Sequence, residues 1–368
     1  MKGFGTSSYL NVGEKTYYIE TSYLATQGKI LTKVTREGKV VLIVREELSE
    51  ELNEKKIFET IKNFHENVLG ELKTWLSVKE KMKEAPLEMY VKLAEKFLKM
   101  GLLEEAKELI EEKIKLDENY APSNYVLGKI YFELKDYEKS AVYFDRAIQI
   151  KDYPNYLLWG ARALRFKGEY TRSISYLKRA IEQNPSYAEA HFEMGLALLE
   201  LTINSERAFP FKMVLFSFKS AELLDARFKH EKFKKGIECL EKGEIFSAKE
   251  YFDEFFKILS PPDVHEILNE FMLLSKYGEP ERVKTLIDDY ILKLKEIREE
   301  HPEYADVRFN LAIALLTKIR TLFEEAQIEL ENALSINPDY KEAKNVLELL
   351  KNELQGYAIF LKTIGRQT

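Results

Sequence analysis

Residues Asn124 to Ile150 read NYVLGKIYFELKDYEKSAVYFDRAIQI, and this stretch decides the fold. Leu127-Gly128, Tyr131, Tyr137, Phe144 and Ala147 stand at offsets that return from Leu87 to about Tyr340, with a period of about 34 residues. A period of that size signals a solenoid, in which each unit buries its apolar face only against its neighbours. Each unit reads as two antiparallel helices, A and B, joined by a tight turn. In the first copy, LEMYVKLAEKFLKM places Tyr90, Leu93, Ala94 and Phe97 at three- and four-residue spacing. Gly101 then stops helix A, and Glu104-Glu105 favour the start of helix B.

The pattern continues down the chain. The second copy runs from about Ala121, with Gly128 and Ser140 at the close crossings. The third starts near Pro154, with Gly168 at its turn, Ala180 in helix B and Asn184-Pro185 at its end. The fourth opens with AEAHFEMGLALLEL and has an insertion around Thr202–Lys212 that contains Pro210. The fifth, near Lys229, keeps Gly236, Gly243, Ala248 and Phe252. The sixth, near Val264, is degenerate, with Gly278, Pro280 and a long helix B reaching towards His301-Pro302. The seventh, near Ala305, has Ala326, Ala333 and Asn337-Pro338, and a capping helix follows from Tyr340 to about Gln355.

These recurring Leu-Gly, Tyr, Ala, Phe, Ala and Pro positions resemble the tetratricopeptide repeat family over roughly three-quarters of the chain. The expected fold is therefore mainly α: an α-solenoid, a right-handed superhelix of helix pairs, with a small N-terminal antiparallel β-sheet and a long connecting helix. The expected segments are a β module (1–48), a long helix (49–85), about seven repeats (86–340), and a capping helix with tail (341–368).

The N-terminal signals differ in kind. TYYIETSYLA, KILTKVT and KVVLIVREE are β-rich, and Arg36-Glu37-Gly38 reads as a hairpin turn. From Ser49, read as the N-cap, to about Lys83, a stripe of Ile57, Ile61, Phe64, Val68, Leu72 and Trp75 marks an amphipathic helix able to cover the sheet. Glu84-Ala85-Pro86 breaks it. TYYIETS and GKVVLIVREE are similar to a β-hairpin module found ahead of such repeats in some bacterial proteins, a resemblance that implies no activity.

Composition narrows the function classes. Of 368 residues, 45% are hydrophobic and 32% charged, enough for a continuous core. The Lys and Glu bias fits a thermophilic source. A net charge of −6 gives no basic footprint for nucleic acid. Cys239 is the single cysteine, so no internal disulfide is possible. MKGFGTSSYLNVGEKTYY has no apolar signal-peptide core, and no run is apolar enough to span a bilayer, so a cytoplasmic protein is expected. His65, His191, His230, His265 and His301 are scattered, Asp288-Asp289 reads as a solvated acidic pair, and no phosphate loop, nucleophile elbow or zinc motif occurs. No catalysis, cofactor or metal is expected.

The resemblance implies that helices A line a concave groove. Its inward positions are apolar here: Tyr125, Phe132, Leu158, Phe192, Leu196, Phe233, Ile237 and Leu240. Lys129, Arg162 and Arg165 add charge. The expected function is an adaptor holding a peptide or protein segment against these anchors, with the arginines on an acidic side chain or a C-terminal carboxylate. The opposing reading buries some of these side chains between neighbouring helices. The carboxylate clamp of chaperone-binding relatives is absent, since Val91 and Glu95 stand where it would place Lys and Asn. The alternatives are a self-associating assembly factor, using Tyr357, Ile359, Phe360 and Leu361 of the tail, and a regulatory enzyme in the β module, which lacks His, Cys and Asp.

The phasing makes one prediction. Ala180→Glu should destabilise the protein by several kcal/mol, through overpacking and an unpaired buried carboxylate. A thermal midpoint unchanged by the substitution would refute the assigned register.

Overall fold

The computed structural model describes residues 5–48, 54–204, 211–259, 264–300 and 305–364. Ser49, Pro210 and His301-Pro302 lie outside them. The chain divides into two compact units, Met1–Pro262 and Asp263–Thr368.

The first unit begins with strands β1 (Gly5–Val12), β2 (Lys15–Leu24), β3 (Lys29–Arg36) and β4 (Lys39–Glu47), an antiparallel sheet in sequential order. Glu37 and Gly38 both take positive φ (52° and 77°), the backbone that a two-residue hairpin turn requires. Tyr17, Ile19 and Thr21 of β2 and Ile30, Thr32 and Val34 of β3 point to one buried face. Helix α1 (Glu54–Lys81) lies against the sheet, with Ile57 and Ile61 packed on Ile30 and Phe64 beside them, and Val68, Leu72 and Trp75 are buried further along the same stripe. Thr21 lies opposite Thr32, and their hydroxyls share a hydrogen bond of 2.8 Å. His65 of α1 joins them, with Nδ1 2.9 Å from Thr21 Oγ1 and Nε2 2.8 Å from Ser8 Oγ. Burial pushes the His65 pKa down against the opposing charge of Glu66, which keeps the ring neutral beneath the sheet.

Helices α2 (Leu87–Met100) and α3 (Leu103–Lys113) form the first pair. Glu105 of α3 is fully buried and joins this pair to the β module. It accepts from Tyr17 Oη (2.7 Å), Lys79 Nζ (3.0 Å) and the Arg36 guanidinium, with Lys15 Nζ at 3.5 Å. Glu108, one turn on, takes Arg36 Nη2 at 2.6 Å and Lys15 at 2.7 Å. Burial alone would raise both carboxyls. The surrounding cations and the Tyr17 hydroxyl win, holding Glu105 below its usual range and Glu108 at about 2.

Three pairs follow: α4 (Ala121–Glu133) with α5 (Tyr137–Ile150), α6 (Pro154–Lys167) with α7 (Tyr170–Gln183), and α8 (Ala188–Asn204) with α9 (Phe211–Leu224). Within a pair the helices approach through a missing side chain. A Cβ at residue 128 would lie 2.7 Å from the Phe144 ring, and one at residue 195 would lie 2.7 Å from Phe218. Gly168 ends α6 in the left-handed region (φ 89°), as its place in the repeat implies, but Lys135 occupies the same position after α4 with φ 62°.

The fifth pair, α10 (Glu231–Glu241) with α11 (Ile245–Ile258), is present in phase, and Gly236 faces Phe252 as the earlier glycines face theirs. Its docking is different. α10 packs far less closely on α9 than α6 does on α5, and α11 lies against α8. The chain reaches this position after a long α8 and a 3₁₀ turn, Ala226–Lys229, whose Phe228 is driven into the core.

The second unit holds α12 (Val264–Tyr277), α13 (Pro280–Glu300), α14 (Ala305–Ile336) and α15 (Lys341–Ile364). The sixth copy keeps its helix pair and its long second helix, and Tyr290 Oη donates to Glu270 (2.8 Å) across it. The seventh does not form a pair. α14 runs unbroken through LLTKIRTLFEEA, which has no glycine or proline to turn the chain, and Ala326 is exposed rather than at a close crossing. Asp288 is ion-paired with Lys318 of α14. The capping helix continues beyond Gln355, but the side chains of Tyr357, Ile359, Phe360 and Leu361 lie outside the described residues.

The Glu105 cluster sets the response to acid. Both carboxyls have lowered pKa values in the folded chain, so their stabilisation is present above about pH 4.5 and is lost as pH falls towards 2. Glu105→Gln should cost about 3 kcal/mol at pH 7 and flatten the dependence between those limits. Denaturant melts of both proteins at stepped pH check this; parallel curves would remove Glu105 from the account.

Candidate partner-binding face

Helices α4, α6 and α8 are successive neighbours in the first unit, and the structure separates the expected groove residues into two groups. Phe192, Leu196, Phe233, Ile237 and Leu240 are not surface anchors. They belong to one core cluster with Val214, Phe218, Phe228, Phe252 and Phe255. Phe218 stacks on Phe252 at 3.9 Å, and Phe192 meets Phe255 edge-on at 5.6 Å. Tyr125 and Leu158 are buried as well, with Tyr125 stacked on Tyr156 at 4.7 Å. For Phe192 and Leu196 the reason is α11, which lies against α8 and brings Phe252 and Phe255 onto them.

The arginines are also engaged within the chain. Arg162 Nε donates to Glu193 Oε1 (2.5 Å), Arg165 Nε to Glu193 Oε2 (3.0 Å) and Arg165 Nη1 to Glu200 Oε1 (2.7 Å). Lys249 of α11 extends the network, 3.4 Å from Glu200. Burial would raise the Glu193 carboxyl, but the two guanidiniums outweigh it and hold the pKa low. The carboxylate expected from a partner is thus supplied by α8. Sequence reasoning missed Glu193 and Glu200, although two acids seven residues apart facing two arginines three apart was a readable signal.

Lys129 and Phe132 stay at the surface, half-buried, and gather residues the spacing had not singled out. Phe132 meets Trp159 edge-on at 5.7 Å and Phe166 at 5.2 Å, and Phe166 also stacks on Tyr137 at 5.2 Å. Lys129 and Arg162 both sit on the Trp159 ring, at 5.6 and 4.6 Å. Lys129 is 3.6 Å from Glu95 of α2. Phe166 keeps 41% of its surface exposed. The result is an aromatic strip edged by cations and partly open to solvent.

Cys239 is half-buried against the phenylalanine core, its thiol pushed up by burial and by Glu244. His230 caps α10, accepting from Lys232 N–H, and His191 lies 3.0 Å from the Pro185 carbonyl. Among the described residues no cluster of His, Cys, Asp and Glu could hold a metal ion, and no helix is long and apolar enough to cross a membrane.

Residues 121–153 match the tetratricopeptide repeat family, and residues 161–201 match the TPR repeat family. A TPR repeat-containing protein of Methanocaldococcus jannaschii is 30% identical over 76 residues, which are 20% of this chain and 24% of that protein. The match thus spans about a quarter of the length of that relative. Among solved structures, YrrB, a TPR protein with an unusual peptide-binding site, is 19% identical with a TM-score of 0.37, covering 50% of this chain and 92% of its own. MamA of Desulfovibrio magneticus RS-1 is 19% identical with a TM-score of 0.37, covering 46% and 93%. PilF of Pseudomonas aeruginosa is 15% identical with a TM-score of 0.38, covering 61% and 96%. Similarity of this degree carries nothing about partner or activity.

The buried network should behave unlike the exposed ion pairs. Glu193→Gln leaves two guanidiniums short of a partner and should cost about 3 kcal/mol. Arg179→Ala, which removes the exposed pair with Asp152, should cost less than about 1 kcal/mol. Urea melts of the two variants decide; similar losses would mean that the Arg162–Glu193–Arg165 network contributes no more than a surface pair.

Proposed function

We propose that this tetratricopeptide repeat protein is a non-catalytic adaptor whose inner face, at α4 and α6, holds a segment of a partner protein. The observation that carries the reading is the Phe132, Trp159 and Phe166 strip, half-open to solvent and edged by Lys129 and Arg162. Large aromatic rings at a surface provide contact area with little side-chain entropy to lose, and cations stacked beside them give orientation. The seat is smaller than the groove read from the sequence, because α11 fills the part over α8. Cytoplasmic residence belongs to the same proposal.

Charges placed on this strip should abolish partner capture and leave the fold intact. The experiment compares wild type with a Phe132→Glu, Phe166→Glu variant of unchanged melting temperature, in pull-downs from source-cell extract. A protein retained by wild type is then purified and its affinity for both forms measured. A loss of ten-fold or more, about 1.4 kcal/mol, is expected. Equal affinity would move the binding function away from α4 and α6.

A further inference from the structure

The sheet ends at β4, which is paired on one side only, with β3. Leu48 N–H donates to the Gly28 carbonyl at 3.0 Å, continuing the β3–β4 ladder. Backbone groups alternate in direction along an antiparallel strand. Those of Glu46, Val44 and Leu42 therefore face β3, and those of Glu47, Arg45 and Ile43 face away from it. The register shift of this pair lies beyond that run, between Leu42 and Val40. The side chains are open as well. Val40 and Ile43 keep 45% and 43% of their surface exposed, while Leu42 is buried on the covered side of the sheet. An edge with outward backbone groups and exposed apolar side chains is a template for another strand.

The charges on β4 are sorted by position. Lys39 opens the strand, Glu46 and Glu47 close it, and Ile43 is its midpoint. A second β4 laid antiparallel along this edge, on a two-fold axis at Ile43, overlaps the strand from end to end. It brings Lys39 of each copy to Glu46 and Glu47 of the other, twice by symmetry, and sets Ile43 against Ile43. The register shift moves Lys39 by about a residue, so it falls within reach of either acid. Arg45 then stands opposite Val41, away from its own counterpart. Glu47 also meets Lys29 of β3 at 2.6 Å, but 78% of its side chain stays exposed and can take a second cation. A parallel pairing would set Lys39 on Lys39 and acid on acid. We infer that β4 is a self-recognition edge, through which two copies of this chain join their sheets into one. Each copy offers this edge once, so the assembly closes at the dimer. Association through β4 is independent of any binding at α4 and α6.

Sedimentation velocity of the full-length protein over a concentration series reads the association. Wild type should pass from one copy to two and stop there. Ile43→Pro removes an N–H that faces away from β3, so the ladder within the chain is kept while the edge can no longer pair. It should stay monomeric throughout the series. Lys39→Glu changes an exposed residue and makes both end contacts repulsive, so it should weaken the dimer about ten-fold or more. Circular dichroism checks that each variant is folded, and if Ile43→Pro is not, Lys39→Glu decides alone. A wild type that remains monomeric would overturn the self-recognition edge. A dimer that the folded variants leave unchanged would place the contact elsewhere and overturn it too. Growth beyond two copies would overturn the closed two-fold.

Discussion

Every pair from the second to the fifth, the third excepted, is drawn together by a phenylalanine ring of helix B seated on a bare backbone of helix A. Gly128 takes Phe144, Gly195 takes Phe218, and Gly236 takes Phe252. Because the ring touches main chain, the spacing of the two helices is set by backbone geometry and not by a side chain that could change rotamer. The third pair has Gly160 in the same role, against Ile148 and Tyr176. Interiors at native density tolerate little extra volume, so this contact allows one small residue at one position per repeat. The remaining variation, in loops, insertions and docking of the next pair, is free to differ, and in the fifth pair it does.

The polar interior works in the opposite sense. Glu105 and Glu193 are both fully buried, and each is surrounded by cations drawn from other elements. Apolar contact alone would not specify which surface of the β module meets α3, or how α6 is turned on α8. A buried carboxylate penalises the alternatives, because any other arrangement strands the charge. The two networks thus join elements that the repeat pattern does not relate. One is at the junction with the sheet, and the other is where α11 departs from the stacking of the earlier pairs.

Much of this was legible. Helix starts at Leu87, Ala121 and Pro154, the hairpin at Glu37-Gly38 and the stripe on α1 follow from local spacing and turn chemistry, which act within a few residues. The site was legible only in part. Lys129 and Phe132 were recognised as inward-facing and remain accessible. Phe192, Phe233 and Leu240 were recognised as inward-facing too, yet are interior, because a helix from later in the chain lies over them. Periodicity tells which side of a helix is apolar but not what covers it. The same limit explains α14: a repeat period continued through it, while the absence of a turn residue, a purely local fact, made it one helix.

The junction at Glu105 has a mechanical consequence. The sequence breaks at Glu84-Ala85-Pro86, between α1 and α2, and such a break is where a tethered module would swing. Here the contacts to Glu105 come from β2, β3 and α1 on one side of the break and are received by α3 on the other. A swing at Pro86 would therefore have to part Tyr17, Arg36 and Lys79 from Glu105, and Glu71 of α1 from Lys96 of α2 as well. The β module is an anchorage for the first repeat, fastened on both sides of the break, and not a bead on a flexible leash.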